Sequence, residues 1–143
     1  MKFIEAESLN IETYQKNLDE IGGYSFFHTK KILDYYQKSS NCKNLSFFCY
    51  EQQELIGFVA LAVNNLKDKI NFSFGSTPCH LPIIKNTIKG RTRKKYLKEI
   101  FIEIFNKLKK YKFDNIDFFY HPVSFKLYRQ DIDYKNAFQI LNF

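Results

Sequence analysis

The clearest pattern in the chain runs through its second half. Leu97, Ile100, Phe101, Ile104, Phe105, Leu108 and Tyr111 recur at helical spacing and form one apolar stripe. The spacing predicts a helix over Lys94–Lys110, with Leu97, Phe101, Ile104 and Leu108 as its packing positions. Near the N-terminus, Ile11, Tyr14, Leu18 and Ile21 share one face of a predicted helix over Asn10–Ile21, which Gly22 and Gly23 stop. A second short helix is predicted over Lys30–Lys38, with Ser25 or Thr29 as its cap. Between these helices and the long one the period changes to two. Leu45–Tyr50 reads as a strand, residues 51–54 as a turn, and Leu55–Val63 as a strand apolar on both faces and therefore central. Asn64–Lys69 reads as the next turn. Ile70, Phe72 and Phe74 alternate with Asn71, Ser73 and Gly75, a strand with one polar face. Residues 76–78 read as its break. His80–Lys85 is extended, and Pro82 confines it to an edge or an irregular stretch. A short first strand over Phe3–Ala6 and a late one over Ile116–Tyr120 complete the order β-α-α-β-β-β-α-β. The fold class expected is α+β: a mixed, largely antiparallel sheet with helices on its faces.

The chain has 143 residues, which suits one domain. A chain this long buries roughly 68–70% of its unfolded surface and needs neither disulfides nor a metal to fold. With 45% hydrophobic and 26% charged residues it does not read as a disordered tail. No apolar run approaches about 18 residues, so no membrane-spanning helix is expected. The opening MKFIEAESLNIE places acids where a secretory signal carries an apolar stretch, which predicts a cytoplasmic protein. Cys42, Cys49 and Cys79 are odd in number and include no Cys-x-x-Cys pair. They support neither a disulfide framework nor a zinc site, and no metal is expected.

Charge is distributed unevenly. The net charge is +7, yet residues 85–112 hold eleven basic residues and two acids, leaving the rest of the chain slightly acidic. Phe, Tyr, Ile, Lys and Asn make up half of the chain. That bias favours Lys over Arg and weakens the basic total as a sign of nucleic acid. The local cluster says more. Lys89, Arg91, Arg93, Lys94 and Lys95 gather at a predicted helix start, where their charges oppose the helix dipole. The cluster reads either as a seat for a phosphate or RNA or as a solvated lysine face.

The wording of the segments narrows the fold. FFHTKKILDYY, LSFFCYEQQELIGFVALAV, FSFGSTPCHLPIIK, a long helix and then IDFFYHP together resemble the GNAT-like acyltransferases, the FemAB-type proteins in particular. The likeness covers residues 25–122. It implies a single GNAT-like domain that moves an acyl group from a thioester or an aminoacyl-tRNA onto an amine of a cell-envelope, peptide or small-molecule acceptor. Acyl-CoA or aminoacyl-tRNA would be the donor. The family's phosphate loop, Arg/Gln-x-x-Gly-x-Gly/Ala, is matched here only at Gly90, so weak coenzyme A binding is expected. Lys89, Gly90, Arg91, Thr92 and Arg93 are the candidate cofactor-binding residues. FemAB-type proteins contain two such halves. Either the elements after the fifth strand are abbreviated, or the chain is the N-terminal half of something longer, with a second GNAT-like half as a partner.

Three further groups of residues carry candidate chemistry. His121 follows a predicted strand end, where side chains face binding crevices. Tyr120 and Tyr128 are candidate proton donors of the kind the resemblance implies, since a phenol is protonated at neutral pH. Asn71 and Ser73, on a polar strand face, and His80 are candidate substrate contacts; the polar face reads equally as solvated. Cys79 and His80 are adjacent and point apart in an extended chain, which argues against a Cys–His nucleophile. His28 reads as a residue that orients a helix entry. The alternative to an enzyme is a non-catalytic half-domain that binds tRNA, another polyanion, a phosphate-bearing ligand or a partner chain through the basic helix start.

Overall fold

The computed structural model describes residues 1–66, 69–71, 73–74, 77–111 and 118–119. β1 (Lys2–Glu5) leads into α1 (Ile11–Ile21) and α2 (Lys30–Ser39). Asn10 caps α1, its Oδ1 accepting from the Thr13 amide at 2.8 Å, and Gly22 ends the helix at φ 69°. Tyr14, Leu18 and Ile21 are buried as the periodicity predicts, joined by Asn17, whereas Ile11 is exposed. Ser25 caps not α2 but the 3-10 turn Phe26–His28 before it. Thr29 precedes α2 without a side-chain cap, its hydroxyl donating instead to the Phe26 carbonyl.

The strands are β2 (Lys43–Asn44), β3 (Phe47–Glu51), β4 (Glu54–Val59), β5 (Ala62–Leu66), β6 (Lys69–Asn71), β7 (Ser73–Phe74), β8 (Thr77–His80) and β9 (Ile83–Ile84). α3 (Gly90–Leu108) and β10 (Phe118–Phe119) follow. One antiparallel sheet has the order β1-β3-β4-β9, so β4 is central and β9 lies at the edge, as expected of the Pro82 segment. β2 and β3 run as one strand against β4 and β5. The register holds from Lys43↔Val63 and Asn44↔Ala62 through Phe47↔Val59 to Cys49↔Gly57, with a bulge between Cys49 and Tyr50. Where the ladder lapses between the two halves, the Ser46 hydroxyl substitutes for it, accepting from the Leu61 amide at 3.0 Å and donating to the Leu61 carbonyl at 3.3 Å. The hairpin turns at Gln52 and Gln53, both with positive φ, 49° and 74°. Two such residues in succession follow the strands' own twist.

Two expected turns are corrected. Asn64–Lys69 is not a turn throughout: β5 continues to Leu66 and β6 starts at Lys69. Thr77 and Pro78 do not end a strand but belong to β8. The β9 pairing, Gly57↔Ile84 and Phe58↔Ile83, would set Cys79 opposite Ala62 if carried back along the chain. The Cys79 thiol does reach Ala62, with Sγ 3.4 Å from its amide nitrogen and 3.6 Å from its carbonyl oxygen. β6 pairs with β5 in a different register, Asn64↔Asn71. The extra chain between Asn71 and Cys79 is taken up by the tight β7–β8 hairpin, Ser73↔Pro78 and Phe74↔Thr77. Thr77 and Pro78 therefore open a strand and do not break one. On the other side of β8 lies β10, parallel, with Cys79↔Phe118 and His80↔Phe119.

Alternation along β3 and β4 sorts the helices onto two faces. Phe48 and Phe58 point to one side and meet the Tyr14 ring of α1 at 5.1 and 5.6 Å between centroids. Phe47 points to the other, where Lys107 of α3 lies over its ring. The fold is α+β, with largely antiparallel pairing and helices on both faces. α3 begins at Gly90, earlier than expected, and its buried stripe is Arg93, Leu97, Ile100, Ile104 and Leu108, with Phe101 only partly buried.

Candidate functional site

The chain leaves β9 in a way that fixes the start of α3. The Lys85 amide donates to the Ile56 carbonyl at 2.9 Å, extending the ladder by one bond, and the Ile88 amide donates back to the Lys85 carbonyl at 3.0 Å. Lys89 is extended at the N-cap position and its side chain makes no capping bond. Gly90 follows at φ 58°, a left-handed conformation that a residue with a Cβ resists. Nothing lies within 4 Å of where that Cβ would stand. The glycine is needed there for its dihedral, not for room. Lys89, Gly90, Arg91 and Thr92 are exposed, and the first turn holds no acid. Free amides, the positive end of the helix dipole and two exposed cations converge, an arrangement that attracts anions.

Arg93 departs from its neighbours. It is 3% exposed, and its Nη1 lies 3.3 Å from the Ile84 carbonyl oxygen and 3.4 Å from that of Ile88. Sequence reasoning placed it among the ligand-gripping cations because an arginine in a basic run carries no mark of burial. Lys85 is also engaged, with Glu20 at 3.0 Å and Glu54 at 3.7 Å; the hydrogen bond to Glu20 leads in holding its ammonium above the ordinary lysine range. Lys95 pairs with Glu99 at 3.8 Å. The exposed cations at the helix start are thus Lys89, Arg91 and Lys94.

A second constellation lies on the α1 and α2 side of the sheet. The His28 Nδ1 accepts from the Ser25 amide at 3.1 Å and sits 2.9 Å from its hydroxyl, so His28 does orient the helix entry. A nitrogen that accepts from a backbone amide carries its lone pair toward it, which puts the ring proton on Nε2. The His28 carbonyl accepts from the Tyr14 hydroxyl at 2.8 Å. The His80 ring stacks on Phe27 at 5.7 Å and meets His28 at 4.7 Å, and both histidines are buried. Their meeting was hidden in the sequence, where they stand 52 positions apart. Cys79 and His80 do diverge: the thiol turns to Ala62 and the imidazole to Phe27 and His28. Burial pushes the Cys79 thiol up to about 12, with a minor contribution from Cys42, so it is no nucleophile at neutral pH.

Of the remaining candidates, Asn71 and Ser73 are described by their backbone, paired with Asn64 and Pro78. Tyr120, His121 and Tyr128 lie outside the described residues. Among the described residues no three His, Cys, Asp or Glu side chains gather as a metal ion requires, and no helix is long and apolar enough to cross a membrane. Sequence reasoning also missed an open depression along α1, lined by Ile11, Glu12, Gln15, Lys16 and Asp19. No protein-family model matches the chain, and comparison with curated proteins and with solved structures returned no match.

Proposed function

We propose that the chain is a GNAT-like, FemAB-related acyl- or aminoacyl-transferase domain whose donor is anchored by its phosphates at the start of α3. The observation that carries this reading is the arrangement around that helix. β8 and β10 are parallel neighbours, β9 and α3 lie between them along the chain, and the exposed, side-chain-uncapped start of α3 is flanked by Lys89, Arg91 and Lys94. A parallel pair joined through a helix leaves the helix start at the carboxyl end of the first strand, where open sheets bind ligands. The antiparallel run β1-β3-β4-β9 before it agrees with the same fold.

In the reaction, the acceptor amine attacks the donor's carbonyl carbon and a C–N bond forms. The C–S bond of a thioester, or the C–O bond of an aminoacyl ester, breaks, and the leaving group takes a proton. Tyr120 or Tyr128 is the proposed proton donor, with His121 beside the acceptor and Asn71 and Ser73 as acceptor contacts; His80, buried against Phe27 and His28, belongs to the packing of its side of the sheet. A thioester donor is acyl-CoA; an ester donor is aminoacyl-tRNA. A second, GNAT-like half is the proposed companion if the donor is tRNA.

The test is a pair of titrations of the full chain, with acetyl-CoA by calorimetry and with tRNA by gel shift. With only Gly90 matching the phosphate loop, coenzyme A affinity is expected in the high-micromolar range or weaker, about −5 kcal/mol. Loss of either interaction in Arg91→Ala/Lys94→Ala supports the anchor. Binding of neither ligand at about 50 mM salt overturns it. A second reading, a non-catalytic domain that binds a polyanion, is favoured by the continuation of exposed cations to Lys95 and Lys98. Tight tRNA binding without transfer to any amine selects it.

A further inference from the structure

We propose that Arg93 is a positioning residue for the start of α3, acting from beneath the helix and never touching the ligand. The inference rests on the reading of that helix start as the donor's anchor. One guanidinium nitrogen lies within bonding distance of two carbonyls, Ile84 at 3.3 Å and Ile88 at 3.4 Å. Ile84 is the last residue of β9, and Ile88 stands two places before Gly90. Arg93 therefore joins the sheet to the far end of the loop between them. The near end is already fastened by the Lys85 amide on the Ile56 carbonyl, and the loop closes on itself through the Ile88 amide and the Lys85 carbonyl. Gly90 makes its left-handed turn from a fixed point, so the amides that follow it have a set direction.

The same residue is out of a ligand's reach. At 3% exposure its guanidinium is screened from solvent by the loop and helix it joins. Its Nη1 is directed to the chain's own carbonyls, so it acts on the helix start by holding the loop in place. A lysine at this position would keep the charge but replace the rigid planar guanidinium, whose Nη1 is held between the two carbonyls, with a tetrahedral ammonium on a shorter, more flexible stem. Charge and position can thus be separated by substitution.

The experiment titrates the full chain, wild type and Arg93→Lys, Arg93→Gln and Arg91→Ala variants, with inorganic pyrophosphate. Amide hydrogen exchange at Gly90, Arg91 and Thr92 is followed in the same samples. Arg91→Ala is expected to weaken binding with exchange unchanged. Arg93→Lys is expected to weaken it by about tenfold and to speed exchange at all three amides, because misplacement and not charge loss is the cause. Full rescue of affinity and exchange by Arg93→Lys overturns the proposal and assigns the effect to charge. If the Arg93 variants do not fold, backbone order parameters of residues 85–89 in the wild type decide. Values near about 0.85 support the clasp and values below about 0.6 overturn it. If the wild type binds no pyrophosphate, the anchor reading fails separately, and unchanged exchange in Arg93→Lys still overturns the clasp.

Discussion

The carbonyl group of Ile83 occupies the space that a Cβ on Gly57 would need. β9 can lie against β4 only because position 57 has no side chain. The obstacle is backbone, which no rotamer change relieves. Gly57→Ala is therefore expected to cost at least about 3 kcal/mol and to lower the melting temperature by roughly 10 °C. A melting curve within a degree or two of wild type would show that β9 does not pack there.

Ile104 is 3% exposed and Leu97 5%, both on the buried side of α3. Replacing either with Asp puts an unpaired carboxylate into the core, at a cost of several kcal/mol (about 3–5). Ile102→Asp, on the exposed side of the same helix, is expected to change stability by less than about 0.5 kcal/mol. Denaturant melts of the three variants check the orientation of the helix.

The three thiols are buried, and for Cys79 burial pushes the thiol up to about 12. At pH 8 its thiolate fraction is then about one in ten thousand. A thiol reagent under native conditions is expected to label none of the three quickly, and all three together once denaturant unfolds the chain. Rapid labelling of Cys79 in the native state would contradict both its burial and its contact with Ala62.

Asp19 on α1 accepts from the Tyr24 hydroxyl at 2.6 Å and the Gln15 amide at 2.9 Å, and the bond from Tyr24 leads in holding its carboxyl below the ordinary aspartate range. A carboxyl lowered by folding contributes stability above its unfolded value, and that stability is lost as the pH falls through the folded one. Tyr24→Phe is expected to move the Asp19 titration upward, toward the ordinary value, in an NMR pH series. No movement would mean that Tyr24 does not set it.

Polyanion binding is expected to weaken linearly with the logarithm of salt concentration, by about 0.7–0.9 for each phosphate contacted. Arg91→Ala/Lys94→Ala should lower that slope by about one to two, and Lys16→Ala/Lys38→Ala should barely change it. Arg91 and Arg93 cannot serve as the test pair, because removing Arg93 also unties Ile84 and Ile88. Equal losses in the two double variants would mean diffuse attraction and no seat.

The residues whose burial follows their chemistry were legible. Tyr14, Leu18, Leu97 and Ile104 are apolar at helical spacing and pack as that spacing requires. Central placement of β4 followed from apolar residues on both its faces. Legibility failed where tertiary contact overrides local type. Arg93 is as polar as Arg91 in the same turn, yet it lies in the core, where two carbonyls receive it. Gly90 is a poor helix former and the cations after it oppose the helix dipole, yet α3 starts there. Thr77 and Pro78 look like an ending because their pairing partners, Phe74 and Ser73, are as near in sequence as a turn allows. His28 and His80 meet across the fold, and no local pattern relates them.

The β7–β8 hairpin has a consequence for how this chain tolerates change in length. The pairing of β5 with β6 and the pairing of β4 with β9 are set on either side of it, each by its own partners. Beyond the hairpin the Cys79 thiol returns to Ala62. Residues added to or removed from that hairpin need not slide either neighbour, since the slack is absorbed where it arises. A single residue inserted within β3 or β4 would instead turn the rest of that strand's side chains to the opposite face. The hairpin is thus the place in the sheet where new chain can be grafted without rewriting the core.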